Sequence, residues 1–401
     1  MASGARRRAS QARIIRMVSV VCRVRAVVLF LAAGATGFGG ENVWTTNGPL
    51  GGISALAVAP DDPIVYAGAS LDGRSLGFRT LNHGADWMVI GEAPQPSSIS
   101  SFAIDPGDSG NVLAAVMTGG LLGSSTIFQS RDGGETWLRV ATLASDVFAL
   151  AYHPTRPGTV FAVGARWRCF QAPCFPYSRL GPVILRSVDS GATWTEVTGG
   201  LVLAGAPIVA VTFDSTEPDR IYTASGSGIS ISEDGGDHWM LSVSGMEGCL
   251  STTALATDPR IGGVVFAGTT WTGRDPYACG AVFRSLDGGR TWTRTSLSSR
   301  DVTSLAIDPQ NPGTLYAGIA SSNPIHPDTG VFRSTDRGET WERFGVGLPE
   351  SGVRALVIEP TGKTLHAATS AGVFDYEVVA GARPPVIPAR DRETRTLPGR
   401  P

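Results

Sequence analysis

The sequence predicts an all-β fold, a seven-bladed β-propeller of four-stranded antiparallel blades. Three observations support this prediction. An eight-residue phrase, Ser-x-Asp-x-Gly-x-Thr-Trp, recurs along the chain; a second, apolar phrase recurs between its copies; and successive tryptophans of the first phrase lie 43 to 57 residues apart. Four strands per repeat at this spacing are typical of propeller blades.

The first phrase has the chemistry of a tight turn. Four copies match the pattern: Ser130–Trp137, Ser187–Trp194, Ser285–Trp292 and Ser334–Trp341. A fifth, Ser232–Trp239, has His238 in the Thr position, and a sixth, Thr80–Trp87, has Asn82 and Asp86 in place of Asp and Thr. Asp and Ser side chains accept hydrogen bonds from nearby backbone N–H groups, and glycine supplies the positive φ of a tight hairpin. Each copy is therefore predicted to be a hairpin held by its own side chains.

The second phrase predicts two apolar strands around a turn. Its fullest form runs from Val302 through Asp308-Pro309 to Gly318. Six relatives begin at Ile53, Ile99, Val147, Ile208, Thr252 and Val353. One repeat unit is then strand A, a turn, strand B, a variable loop, strand C, the Asp-containing turn and strand D, and there are seven units.

The two ends of the repeat region complement each other. The seventh unit continues through Val373 but has no Asp-containing turn and no Trp, whereas Trp44 precedes the first unit without strands A to C of its own. We therefore expect Val43-Trp44 to join the last blade and close the ring, which removes a free sheet edge. The propeller is predicted to span residues 42–377.

The first phrase resembles the Asp-box, or BNR repeat, of sialidases, the sortilin propeller, some xyloglucan-degrading glycosidases and photosystem II assembly factor-like proteins. The combination of Ala-Ile-Asp-Pro, Leu-Tyr-Ala-Gly and Phe-Arg-Ser-x-Asp, as at 306–336, is most similar to exported bacterial Asp-box proteins. This resemblance implies a propeller and is not specific for a function. It also implies a structural role for five acids: Asp132, Asp189, Asp234, Asp287 and Asp336.

Residues 1–35 are predicted to be a signal peptide, with an arginine-rich start, a short apolar core at 26–33 and a small-x-small site at Ala33-Gly-Ala35. Met17 is an alternative start, and a retained membrane anchor is the alternative interpretation. No other segment is apolar enough to span a membrane. The Pro- and Arg-rich residues 378–401 predict a disordered tail. We expect a secreted or periplasmic protein and a monomer.

Charge argues against nucleic-acid binding. Without residues 1–35 the chain has 26 basic and 35 acidic residues, a net charge of about −9, and nucleic-acid binding requires a basic surface. Four cysteines remain, and in an oxidising compartment we expect the disulfides Cys169–Cys174 and Cys249–Cys279, with free thiols as the alternative. No histidine stands near them at ligand spacing, so neither a metal nor another cofactor is expected.

The long loops between strands B and C are the candidate binding site, because loops on a rigid scaffold often carry function. Their aromatic and charged residues are Arg166, Trp167, Arg168, Tyr177, Trp271, Arg274, Asp275, Tyr277 and His326. Aromatic faces stack on sugars, and aromatic residues with arginines are common at interfaces. The alternative is that these rings pack the loops onto the blades.

Catalysis has less support in the sequence. Glycoside hydrolysis requires two carboxyl groups facing one cleft. Asp72, Asp275 and Asp328 are available on the loop side, but nothing in the sequence pairs them, and no catalytic residue is assigned. We therefore expect a non-catalytic scaffold that binds a protein or a glycan, with a sialidase-like or glucanase-like glycoside hydrolase as the alternative.

Overall fold

A computed structural model describes residues 43–60, 63–94, 96–118, 123–168, 178–201, 205–246, 248–271, 279–320, 329–349 and 352–378, with the backbone alone at 167–168 and 178–180. The predicted signal peptide, 1–35, and the predicted tail after its first residue, 379–401, lie outside the described residues. Within the described ranges, no helix has the length and apolar character needed to cross a bilayer.

The described residues form seven antiparallel sheets in chain order, which confirms the predicted all-β, seven-bladed propeller. Blade 1 contains β1 (Gly52–Val58), β2 (Val65–Leu71), β3 (Arg74–Thr80) and β4 (Met88–Ala93). Blade 2 contains β5 (Ser97–Asp105), β6 (Asp108–Thr118), β7 (Ser124–Ser130) and β8 (Leu138–Leu143). Blade 3 contains β9 (Asp146–Tyr152), β10 (Val160–Arg168), β11 (Ser178–Ser187) and β12 (Thr195–Glu196). Blade 4 contains β13 (Ile208–Phe213), β14 (Ile221–Ser225), β15 (Gly228–Ser232) and β16 (Met240–Ser242).

The remaining three blades follow the same order. Blade 5 contains β17 (Thr252–Thr257), β18 (Val265–Thr269), β19 (Ala281–Ser285) and β20 (Thr293–Ser298). Blade 6 contains β21 (Val302–Ile307), β22 (Leu315–Ile319), β23 (Gly330–Ser334) and β24 (Glu342–Phe344). Blade 7 contains β25 (Val353–Ile358), β26 (Thr364–Thr369) and β27 (Val373–Glu377). In each blade the strands occupy positions A, B, C and D in this order.

The apolar core lies between neighbouring blades. Strand B is the most buried: all residues of β14, β18 and β22 are buried. Seven apolar clusters each join residues of two adjacent blades, including one that joins blade 1 to blade 7 through Ile53 and Val373. Because strand B is covered by a blade on each side, its sequence is continuously apolar or small rather than alternating.

The N-terminal segment closes the ring, as predicted. Thr45 and Asp375 exchange backbone hydrogen bonds of 2.9 and 2.7 Å, and the Thr46 hydroxyl donates to the Val373 carbonyl at 2.8 Å. The Trp44 side chain is buried, with its ring centroid 5.3 Å from that of Tyr376. The structure adds one detail, because Val43 pairs in parallel with Val346, in the connection that precedes blade 7.

Strand A of every blade contains a β-bulge close to its start, a feature the sequence did not predict. The register against strand B skips one residue in each blade: Ser54, Ser100, Phe148, Val209, Thr253, Thr303 and Arg354. The hydroxyls of Ser54, Ser100 and Thr253 donate to the strand A carbonyl of the next blade at 2.7, 2.7 and 2.6 Å. In blades 1, 2 and 5 the bulge therefore directs a polar side chain that links the blade to its neighbour.

Candidate functional site

The blades divide the ring into two faces. The A–B turns and the Asp-box turns share one face, where Gly133 N–H donates to the Gly110 carbonyl and Gly288 N–H to the Gly263 carbonyl, both at 2.9 Å. We call this the turn face. The B–C hairpins and the D–A connections lie at the other strand ends and form the loop face. Of the predicted binding residues, Arg166 and Trp271 lie on the loop face, and the Asp-box acids lie on the turn face.

The Asp-box acids are saturated by hydrogen bonds within their own turns. Asp132 accepts from the Ser130 hydroxyl at 2.7 Å and from the N–H and hydroxyl of Thr136 at 2.9 and 2.5 Å. The Trp137 indole N–H donates to the Gly134 carbonyl at 3.1 Å, which ties the strand D ring to the turn. The same bonds to aspartate recur in the other three copies that match the pattern, at Asp189, Asp287 and Asp336. The arrangement is a turn clamp and leaves little acceptor capacity for a substrate.

The acidities of these aspartates follow from the same bonds. Burial raises the pKa of Asp287, but hydrogen bonds from Thr291 and Ser285 outweigh it and lower the pKa to about 2. In the fifth copy the backbone N–H of His238 and its ring, at 2.7 Å, lower the pKa of Asp234. In the sixth copy the Asn82 amide donates to the Asp86 carboxylate at 3.0 Å. The acid therefore stands at the position where the other copies have the donor, and the donor at the position of their acid. Asp287 and Asp234 are therefore ionised at neutral pH.

Trp271 is the predicted loop-face residue with the most defined surroundings. It lies two residues after the end of β18, is partly buried, and its N–H donates to Asp301 Oδ1 at 2.7 Å. The preceding residue, Thr270, donates its N–H to the Ser251 carbonyl at 2.9 Å. The base of this loop is thus attached to the connections on both sides of blade 5.

A disulfide holds the same region. Cys249, before blade 5, is bonded to Cys279, before β19, with a Cα–Cα distance of 4.7 Å, and both residues are buried. This is the second disulfide expected from the sequence. It joins the D–A connection that enters blade 5 to the end of its B–C loop. The other expected pair, Cys169–Cys174, lies outside the described residues.

Two further loop-face residues are defined. Arg166 makes an ion pair with Glu196 at 2.8 Å, in which both side chains are more than one-third exposed, a contact worth only about 0–1 kcal/mol. Asp72 is exposed on the two-residue B–C hairpin of blade 1, with a left-handed φ of 50°. Its carboxylate has no hydrogen-bond or ion-pair partner among the described residues, so it is open to solvent.

The remaining predicted site residues cannot be placed against one another. Trp167 and Arg168 lie at the end of β10, where the backbone alone is described. The other predicted residues lie outside the described residues: Tyr177, Arg274, Asp275, Tyr277, His326 and Asp328. Within the described ranges, no group of three or more His, Cys, Asp or Glu residues has an arrangement that could hold a metal ion.

One titratable cluster was missed by the sequence reasoning. His83, Glu359, His366 and Asp375 form a continuous hydrogen-bonded chain at the seam between blades 7 and 1. The signal was present in the repeat, since His366 stands where blades 1, 4 and 6 have a strand B tyrosine. Its partners could not be identified from sequence because His83 and Glu359 are 276 residues apart.

Comparisons with known proteins identify similar propellers. No family model matches the chain. A curated xyloglucanase from Paenibacillus sp is 26% identical over 303 residues, a match that covers 65% of this chain and 27% of that protein. Among solved structures, an ancestral GH74 enzyme is similar with a TM-score of 0.64 and 17% identity, over 85% of this chain and 47% of that one. YCF48 bound to D1 peptide is similar with a TM-score of 0.57 and 14% identity, over 85% and 98%.

These comparisons correct the expectation of a non-catalytic scaffold. The curated relative is a xyloglucanase, so the glycoside hydrolase alternative has the better support. The chain spans about a quarter of the length of the curated relative and about half of the ancestral enzyme. The two solved structures show that the chain shares the fold of a seven-bladed ring with GH74 and YCF48 structures. Only the match to the xyloglucanase bears on activity.

Proposed function

We propose that this protein is a glycoside hydrolase that acts on xyloglucan or a related β-glucan through the loop face of its propeller. The observation that carries the proposal is the sequence match to a xyloglucanase over 303 residues. The turn face is a poor candidate because the carboxylates of its Asp-boxes are engaged within their turns. A secreted or periplasmic location would suit a polysaccharide substrate and the Cys249–Cys279 disulfide.

Asp72 is the candidate carboxylate. Glycosidic cleavage needs one carboxylic acid to protonate the leaving oxygen and a second carboxylate to act as base or nucleophile. Asp72 is exposed, lacks a described partner and has a backbone conformation that is uncommon for a non-glycine residue. We propose that the second carboxyl group also comes from the loop face, where Asp275 and Asp328 are the candidates from sequence.

Trp271 is the candidate sugar platform. Large apolar rings supply contact area at low entropic cost, and the face of an indole can pack on the face of a pyranose. The hydrogen bond to Asp301 and the nearby disulfide fix the backbone from which this ring projects. A fixed backbone reduces the conformational entropy lost on binding.

The test is the release of reducing ends from xyloglucan and from unbranched β-glucan by the wild type and by Asp72→Asn. Asn-Gly supports the same two-residue turn as Asp-Gly, so this substitution removes the charge and keeps the hairpin. We expect cleavage by the wild type and a loss of roughly 10²–10⁴-fold in the variant, the usual contribution of acid–base catalysis. Glu135→Gln, an exposed turn-face acid, is the control and should retain full activity.

The outcomes separate the parts of the proposal. No cleavage of any β-glucan by the wild type would refute the hydrolase assignment. Full activity of Asp72→Asn with an active wild type would refute only the role of Asp72. Trp271→Ala should weaken polysaccharide binding in affinity electrophoresis, whereas Trp271→Tyr should largely preserve it, and equal binding by both would exclude Trp271 as a platform.

A further inference from the structure

Blade 7 departs from the repeat at two directly paired positions. In blades 1 and 6 a strand B tyrosine is opposite a strand C arginine, as in the pairs Tyr66–Arg79 and Tyr316–Arg333. In blade 7 the corresponding pair is His366 and Asp375. A tyrosine and an arginine do not change charge near neutral pH, whereas an imidazole does.

The usual pair reaches across the interface to the next blade. The Tyr66 hydroxyl donates to the Gly133 carbonyl at 2.9 Å, and the Arg79 guanidinium donates to the same oxygen. Gly133 belongs to the Asp-box turn of blade 2, so these two donors join blades 1 and 2. Burial raises the pKa of Tyr66 further.

At the seam between blades 7 and 1, side-chain acids and imidazoles replace this contact. His366 Nδ1 lies 2.6 Å from Asp375 Oδ1, and His366 Nε2 lies 3.1 Å from Glu359 Oε1. Glu359 Oε2 lies 2.6 Å from Nδ1 of His83, which occupies the position of Gly133 in the Asp-box turn of blade 1. His366 and Glu359 are buried, and the side chain of His83 is about half exposed.

Glu359 is a third departure from the repeat. The equivalent turn acids Asp214, Asp258 and Asp308 accept N–H groups from their own A–B turns at 2.8 to 3.2 Å. Glu359 is one methylene longer, and its two carboxylate oxygens contact His366 and His83 instead. Three neighbouring positions of one blade therefore differ from the repeat and contact one another.

When Asp375 and Glu359 are both ionised, His366 can donate to both carboxylates only if it is protonated. A neutral imidazole has one N–H, whereas both ring nitrogens of His366 face a carboxylate oxygen. Burial opposes a charge on His366, but the hydrogen bonds to Asp375 and Glu359 outweigh it and raise its pKa above the ordinary value of 6.5. Loss of this proton leaves one buried carboxylate without its donor, which is costly in a site that excludes water.

Other charged groups surround this cluster. Blade 6 contributes Asp308, whose carboxylate approaches Gly362 in the turn that begins with Glu359. Blade 1 contributes Asp86, which is engaged by Asn82. Lys363 and Glu377 lie at the exposed ends of β26 and β27. The two buried carboxylates therefore depend chiefly on His366 and His83 for positive charge.

We propose that the cluster His83–Glu359–His366–Asp375 is a proton-controlled clasp that holds the propeller ring closed. The backbone of Asp375 exchanges hydrogen bonds with Thr45 in the N-terminal segment, so a shift of Asp375 acts directly on the closing pair. The clasp is closed when His366 carries its proton and loosens when that proton is lost. This device is independent of any substrate at the loop face.

The sign of the pH dependence follows from the individual groups. The pKa of His366 is raised, so its stabilisation is complete below 6.5 and is lost as the pH rises through the folded-state value. Burial raises the pKa of Glu359, but hydrogen bonds from His366 and His83 lower it overall, so its contribution is present above 4.5 and disappears only in stronger acid. Burial raises the pKa of Asp375. Loss of the Asp375 proton with rising pH therefore also weakens the clasp. The clasp is therefore tightest in mild acid.

The experiment is hydrogen exchange of the full chain between about pH 5.5 and 9, expressed as protection factors to remove the intrinsic pH dependence. We expect protection in peptides containing residues 43–46 and 373–377 to fall roughly tenfold or more as the pH rises, the effect of an unsatisfied buried acceptor. Peptides from the seam between blades 5 and 6, which has no histidine among its described residues, serve as the internal reference. Protection that is constant with pH at the closing strands would overturn the proposal.

Three variants separate a proton clasp from general destabilisation. The double variant His366→Tyr, Asp375→Arg restores the pair found in blades 1 and 6 and should abolish the pH dependence. His83→Gly restores the Asp-box glycine and leaves Glu359 to interact with His366 alone, so the transition should move to higher pH. His238→Thr in the exposed blade 4 turn should leave the profile unchanged. A shift to lower pH in His83→Gly, or the same effect from His238→Thr, would refute the clasp even if the double variant does not fold.

Discussion

Gly77 in strand C of blade 1 is the site of a stabilising substitution that the repeat itself suggests. In every blade one strand C residue pairs with the fourth residue of the strand B motif, the glycine of Leu-Tyr-Ala-Gly. It is branched and apolar in the other six blades: Ile127, Ile184, Ile229, Val282, Val331 and Val373. In blade 1 the pair is Gly68 and Gly77. A cavity of about 40 Å³ lies there between blades 1 and 2, lined by side chains that include Ile90, Ile99 and Trp137.

The expected gain can be worked out from this cavity. At about 24 cal/mol per Å³, filling 40 Å³ contributes about 1 kcal/mol to the free energy of unfolding. Replacing glycine in an extended conformation adds about 0.4–1 kcal/mol through the unfolded chain. A Cβ atom on Gly77 would lie 3.2 Å from Ile90 Cγ1 and 3.6 Å from Ile99 Cδ1, and its φ is not left-handed. We therefore expect Gly77→Ala to stabilise by about 1–2 kcal/mol and to raise Tm by a few degrees.

The cross-strand partner provides the matched control. A Cβ atom on Gly68 would lie 3.0 Å from Ile99 Cβ and 3.1 Å from Ile99 Cγ2, so Gly68→Ala should overpack the interface and destabilise by about 1–3 kcal/mol. Urea unfolding followed by tryptophan fluorescence measures both variants. If Gly77→Ala destabilises as much as Gly68→Ala, the cavity is not free space and the argument from the repeat fails.

Three further predictions concern the turns, the disulfide and the closure. Burial raises the pKa of Asp287, but the hydrogen bonds that its carboxylate accepts lower it to about 2. The ionised carboxylate should therefore stabilise the fold above pH 3.8 and lose this contribution toward pH 2. Asp287→Asn should flatten the acid limb of a Tm–pH profile. Reduction of Cys249–Cys279, which closes a loop of about 30 residues, should lower stability by about 3.6 kcal/mol, measured by urea unfolding with and without reductant. Trp44→Ala should lower the free energy of unfolding by about 3–5 kcal/mol, because the buried ring packs on Tyr376 at the closing strand. Calorimetry of this variant should show a lower Tm. An unchanged Tm would contradict the role of Trp44 in closure.

Sequence reasoning was sufficient for the architecture because the repeat is a local signal. The Asp-box turns and the missing strand D of the seventh unit predicted the number of blades and the closure by Trp44, and both were confirmed. The bulges at positions such as Thr253 could not be predicted. The hydrophobic pattern does not indicate which strand A residue has no partner in strand B. The functional expectation was wrong because Asp-box phrases specify turns and carry no information about the loop face.

The loop-face binding site stays a prediction. Trp271 and Arg166 were selected as members of one binding surface, but their described contacts, with Asp301 and Glu196, belong to different blades. Which loop residues face each other depends on loop conformations that no periodic pattern encodes. Asp72 could be identified as a loop-face acid, but its left-handed backbone and free carboxylate became evident only in the structure.

The seam between blades 7 and 1 shows how a repeat makes individual substitutions interpretable. A single His366 opposite an arginine, or a single Asp375 opposite a tyrosine, would bury a titratable group without its partner. Such a group would destabilise the fold relative to the Tyr–Arg pair of blades 1 and 6. Together with Glu359 and His83, each buried nitrogen and three of the four carboxylate oxygens gain a close partner. The four residues are therefore favourable as a set rather than singly, and they occur at the one interface that the chain must close with its own N-terminal segment. At any other interface a pH-sensitive contact would lie between two blades that are each a continuous sheet. At this interface it acts on the N-terminal segment, which is held by only a few backbone hydrogen bonds.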